Sequence, residues 1–143
     1  MPFRPSRLVP RRAALFAAAL GASLWLAGCA ALGPQTPEAV ITQRAEARWA
    51  YLIGGEFEKA WDLTQPGFRA VVKRDQYARR FGSGGSWTGA QVHDVKCEAE
   101  RCTVRVRVAA KVTTPPFVGQ EVVTYLEEVW VRDEGQWWYY QAF

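Results

Sequence analysis

Apolar and polar positions divide the chain into a helical half and a strand half. Ile41, Ala45, Trp49 and Leu52 recur at helical spacing, which predicts one apolar stripe along a first helix. Thr36 is placed to cap it, Pro37 suits the first helical position, and Glu38 suits the positive end of the dipole. Gly54-Gly55 ends it. Phe57, Ala60, Trp61 and Leu63 predict a second helix over 56–64, which Pro66-Gly67 breaks. Tyr77 and Phe81, four apart, predict a short third helix over 74–81.

Beyond Gly82-Ser83-Gly84-Gly85-Ser86 the period changes to two. This stretch lacks the Gly-Lys-Ser/Thr of a phosphate loop and reads as a connector. A first strand is expected over 92–97. The segment 102–112 alternates most clearly: Val104, Val106, Val108, Ala110 and Val112 face one way, and Thr103, Arg105, Arg107 and Lys111 the other. Strands are also expected over 121–132 and 136–143, the last two joined by the tight turn Asp133-Glu134-Gly135. Three helices followed by four antiparallel strands give an α+β fold, with the helices on one face of a curved sheet. Residues 36–143 form one domain by length.

The first 28 residues stand apart. Arg4, Arg7, Arg11 and Arg12 precede an uncharged run over 13–28. That run is shorter than the roughly 20 residues a membrane span needs. The pattern is that of a secretory signal, and Leu26-Ala27-Gly28-Cys29 resembles the lipobox of bacterial lipoproteins. The resemblance implies cleavage before Cys29, lipid on its thiol, a tether over 29–35, and membrane attachment through that lipid. An ordinary signal peptide or an uncleaved anchor is the alternative. Residue 30 is Ala rather than Asp, so the inner-membrane retention signal of enteric bacteria is absent. The expected location is the periplasmic side of the envelope, the outer membrane before the inner.

Excluding the leader changes the charge argument. The chain has 18 Lys+Arg and 14 Asp+Glu, for a net +4. Four of the basic residues lie in the leader and none of the acidic ones, so the remainder balances at 14 of each. Nucleic-acid binding needs a basic patch on the folded domain, and this balance argues against it.

Cys97 and Cys102 flank the polar loop Glu98-Ala99-Glu100-Arg101. In an oxidising compartment a hairpin of that length brings two thiols to disulfide distance. Free thiols or a metal pair are the alternatives, but a metal needs three or four ligands and His93 is the only histidine. No cofactor motif is present.

The chain resembles the nuclear transport factor 2-like (NTF2-like, cystatin-like) superfamily. The resemblance rests on Ala45-x3-Trp49-x2-Leu52, on Gly55-Glu56-Phe57-Glu58-Lys59-Ala60-Trp61, on Pro66-Gly67-Phe68-Arg69, and on Val129 through Trp137. It implies a cone of helices and sheet. The superfamily includes isomerase-like and dehydratase-like enzymes, transport adaptors and small lipoproteins. Members that catalyse place an Asp or a His–Asp arrangement inside the cone, and many dimerise through the outer sheet face. In this chain His93 and Asp94 are neighbours in a strand, so alternation sends them to opposite faces.

Glu127-Glu128 sit within an apolar strand, and alternation sends one of them inward, where a buried carboxylate has a raised pKa. Trp49, Trp61, Tyr77 and Trp130 read as core or pocket lining. Trp137-Trp138-Tyr139-Tyr140 place one Trp and one Tyr on each face of the last strand, so one aromatic face is left for a homodimer contact, an envelope partner or cover by charged side chains. Two functions follow: a non-catalytic envelope module that binds a protein partner or a small apolar ligand, or a small isomerase- or dehydratase-like enzyme using Glu127 or Glu128.

Overall fold

The computed structural model describes residues 35–81 and 86–143. The leader, Cys29 and nearly all of the tether and the glycine-rich connector lie outside these residues. Helix α1 spans Pro37–Ile53. Its cap forms as the sequence implies, with the Ala39 N–H donating to Thr36 Oγ1 at 3.3 Å. Ile41, Ala45, Trp49 and Leu52 are buried along one face. Arg48 is buried with them, on the same stripe.

Three short helices follow: α2 (Phe57–Asp62), α3 (Pro66–Val71) and α4 (Arg74–Arg79). The expected count of three is therefore corrected to four among the described residues. Pro66-Gly67 does break α2, but it also begins α3. Proline's fixed φ and missing N–H suit a first helical turn, and the fully buried Phe68 holds this short helix to the core. Trp61 Nε1 ties α2 to the end of α3 by donating to the Val72 carbonyl at 2.8 Å.

The sheet is an antiparallel meander in the order β1-β2-β3-β4, with β1 Trp87–Glu98, β2 Arg101–Lys111, β3 Glu121–Asp133 and β4 Gln136–Tyr139. On β2 the alternation holds: Cys102, Val104, Val106 and Val108 are buried, and the residues between them through Arg107 are exposed. The inward side chains meet the α1 stripe, Phe68, Tyr77 and Trp130 in one apolar core. The structure thus has the α+β architecture expected from the change of period.

Two strand details differ from expectation. A register shift between Val92 and Asp94 inserts His93 as an extra residue. This bulge leaves both His93 and Asp94 exposed rather than on opposite faces. The last strand ends at Tyr139, well short of Phe143. There the chain turns to the helices, with the Gln141 N–H donating to Gln65 Oε1 at 3.1 Å. The far edge of β4 is capped by the segment between α2 and α3: the Tyr139 N–H donates to the Leu63 carbonyl at 2.8 Å and the Gln65 N–H to the Tyr139 carbonyl at 3.1 Å.

Cys97 and Cys102 are direct cross-strand partners, bonded with Cα atoms 4.0 Å apart. The turn between them is tighter than expected, with only Ala99 and Glu100 outside the strands. A five-residue separation closes a small loop, so the bond's contribution through the unfolded chain is about 2 kcal/mol. Replacing both cysteines with alanine is expected to lower the free energy of urea unfolding by that amount. The same drop should follow when reductant is added to the wild-type chain.

Candidate functional site

The site begins with a charged residue on an apolar stripe. Position 48 is seven residues after Ile41 and four before Leu52, so α1 aims it at the sheet. On β3, Leu126, Glu128 and Trp130 share the inward parity. Alternation therefore delivers Glu128 to the interior and leaves Glu127 exposed, and burial grows towards Trp130. Arg48 Nη1 donates to Glu128 Oε1 at 2.5 Å, with both side chains about 95 % buried. Trp130 Nε1 donates to the other carboxylate oxygen at 3.3 Å. The Arg48 guanidinium also lies 3.6 Å from the centre of the Tyr139 ring, a cation–π contact with its polar edge turned from water.

Burial shapes the charges of this pair. For Arg48 the loss of water opposes the charged form, but Glu128 and the phenolic groups of Tyr77 and Tyr139 outweigh it and hold the guanidinium above its usual range. Burial pushes the Glu128 carboxyl up, while the Arg48 charge and the Trp130 N–H that donates to it pull it down. Tyr139 is raised, first by burial.

The pair closes the inner end of a pocket of about 280 Å³. Trp49, Leu52, Phe81, Trp87 and Leu126 form its apolar walls, and Glu127 and Gln141 lie at its outer end. Trp49 and Trp87 meet edge to face at 5.5 Å. Three buried donors about this pair and the core behind it, Arg48 Nε, Trp49 Nε1 and Tyr77 Oη, have no hydrogen-bond partner. Such groups are uncommon in folded interiors because each costs free energy. A larger surface hollow of about 370 Å³ beside α2 is lined by Gly55, Glu56, Phe57, Glu58, Lys59 and Ala78. Its charged residues are exposed, and no buried polar group converges on it.

The expected site residues separate cleanly. Trp49, Glu127 and Glu128 line the pocket, and Trp130 supports it from the core. Tyr77 is fully buried. Trp61 lies away from it, with the guanidinium groups of Arg69 and Arg74 at 5.6 and 5.0 Å from its ring. Trp137 belongs to the core, and Trp138 is half-buried with Arg44 and Arg69 over its ring at 5.5 and 4.6 Å. The last strand therefore presents no bare tryptophan face. On β3, by contrast, Val122, Val123, Tyr125 and Leu126 are exposed. His93 sits on the outer face against Tyr125, ring centres 5.2 Å apart, remote in the fold from Glu128. Among the described residues, no three His, Cys, Asp or Glu side chains are grouped to hold a metal, and no helix is long and apolar enough to cross a membrane.

No family model matches the sequence, and no curated protein does. Among solved structures, the chain is similar to a SEC-C motif-containing protein from Rhodopseudomonas palustris. The TM-score is 0.55 and the identity 18 %, covering 74 % of this chain and 76 % of that one; the likeness is one of fold. A Campylobacter jejuni protein provisionally named an NTF2-like transpeptidase aligns with a TM-score of 0.45 and 10 % identity, over 70 % of this chain and 96 % of that one. That match is too loose to carry weight.

Removing one partner of a buried ion pair strands the other charge and costs about 3–5 kcal/mol, whereas replacing both with apolar groups is near neutral. Arg48→Met and Glu128→Leu are each expected to lose that much in urea unfolding. The double variant should lose less than either. Additive losses would show that the two side chains act separately.

Proposed function

We propose that this chain is a lipid-anchored, periplasm-facing envelope protein whose NTF2-like domain is a non-catalytic binding module, taking a small apolar ligand with one neutral hydrogen-bond acceptor. The pocket carries this reading: apolar walls lead to a buried ion pair beside donors that lack partners. Pockets for small molecules combine apolar walls with a few placed polar groups. The ion pair is already balanced, so a charged ligand adds an uncompensated charge to a buried site. A carbonyl or ether oxygen satisfies a donor without that penalty.

A second reading makes Glu128 the general base of an isomerase- or dehydratase-like enzyme. Its support is a carboxylate raised by burial at the end of a pocket. Against it, Arg48 and Trp130 engage both carboxylate oxygens, and no histidine lines the pocket. Each oxygen keeps a second lone pair, but the adjacent Arg48 charge opposes proton uptake by the carboxylate.

Trp49 and Trp87 give the pocket a fluorescence signal. Titrating the full chain with a cyclic ketone, its parent hydrocarbon and a matching carboxylate is expected to rank the ketone tightest. The hydrocarbon should bind about fivefold more weakly, the worth of one hydrogen bond. Leu126→Glu, at the exposed end of the wall, should abolish the saturable change. A carboxylate that binds tightest, or no saturable change with any probe, would contradict the binding reading. Turnover lost in Glu128→Gln would favour the enzyme.

The anchor rests on the lipobox resemblance, since stable attachment takes more than one acyl chain. Bacteria fed an alkyne-bearing fatty acid should label the wild-type chain in the membrane fraction. Cys29→Ser should lose both label and membrane association.

A further inference from the structure

We propose that the open edge of β3 pairs antiparallel with β3 of a second copy of this chain, joining two sheets into one of eight strands. β4 pairs only with Trp130–Asp133, and the Tyr140 N–H extends that ladder to the Val129 carbonyl. Before Val129, no described backbone group pairs with this side of β3.

Alternation identifies the free groups. The Val129 carbonyl faces β4, whereas the Gln120 carbonyl accepts from the Val112 N–H on the β2 side. Odd-numbered residues therefore turn both backbone groups outward, so Glu121, Val123, Tyr125 and Glu127 present N–H and C=O to the open edge. Exposed edges are commonly guarded by proline, lysine or a bulge. Val122–Leu126 carries none of these, and its pairing with β2 is unbroken. Val122, Val123, Tyr125 and Leu126 are 41–49 % exposed, an apolar band on both faces of an edge that offers backbone hydrogen bonds. Such an edge selects an extended strand.

Charge selects a second copy and its register. A two-fold axis across a sheet keeps faces, so residues of equal parity meet. An axis at Thr124 sets Glu121 opposite Glu127, two like charges on one face. An axis at Tyr125 sets Glu121 opposite Val129, whose carbonyl is already used. An axis at Val123 avoids both: Val123 meets its own copy, Val122 meets Thr124, and Glu121 meets Tyr125. In that register the second copy's Glu121 extends the row formed by Arg107 and Tyr125. It arrives beside Arg105, whose guanidinium lies 4.5 Å from the Tyr125 ring centre. No described carboxylate forms an ion pair with Arg105 or Arg107. The paired stretch runs from Glu121 to Tyr125 and ends one residue before Leu126 of the pocket wall.

Sedimentation equilibrium of the full chain in density-matched detergent reads the assembly. The wild type is expected to be a dimer and Val123→Pro a monomer with an unchanged circular dichroism spectrum, because the Val123 N–H points away from β2 and proline is tolerated at such a position. In a Cys29→Ser background, Val123→Cys should form a disulfide-linked dimer on mild oxidation and Tyr125→Cys should not, and this comparison decides the matter if the proline variant fails to fold. A monomeric wild type, a dimer that survives Val123→Pro in folded protein, or cross-linking at Tyr125→Cys in preference to Val123→Cys would overturn the proposal.

Discussion

The buried pair of Arg48 and Glu128 organises the rest of the domain. Each charge is costly to bury alone, so the two elements that carry them, α1 and β3, must meet in one register. That register brings Trp49 and Leu52 onto the sheet and places Tyr139 under the guanidinium. Trp130, two residues along the same face of β3, holds the second carboxylate oxygen. An all-apolar interface allows α1 to slide or rotate at modest cost, whereas an ion pair with fixed hydrogen bonds does not. The pocket lies against this pair, between α1 and the sheet.

The outline of the fold was written in the spacing of apolar residues. The capped start of α1, the change from helical to strand period and the alternation along β2 all carry over into the structure. The signals that failed were those with two physical readings. Pro66-Gly67 both ends one helix and begins another, and only the burial of Phe68 decides that α3 forms. The bulge at His93 has no local signature in the sequence. The early end of β4 depends on Leu63 and Gln65, more than 70 residues away, offering the backbone other partners.

The site was half visible. Alternation required one of Glu127 and Glu128 to face inward, and the structure selects Glu128. Its partner carries a signal of its own: Arg48 falls on the apolar stripe of α1, and an arginine there must find a carboxylate or reach water. Strand parity holds on the last strand, with Trp137 and Tyr139 turned to the core, and of the covers open to the other face charged side chains supply that of Trp138, through Arg44 and Arg69. Part of the exposed apolar surface belongs to β3, whose edge β4 is too short to cover.

The central claim is that this ion pair closes a ligand pocket rather than merely joining helix to sheet. Native mass spectrometry of the full chain, taken from a bacterial envelope in mild detergent, tests it most directly. The account predicts a small added mass, well below that of a lipid, which is released on denaturation and absent from Leu126→Glu. A bare polypeptide mass for the wild type, or an adduct retained by Leu126→Glu, would contradict it.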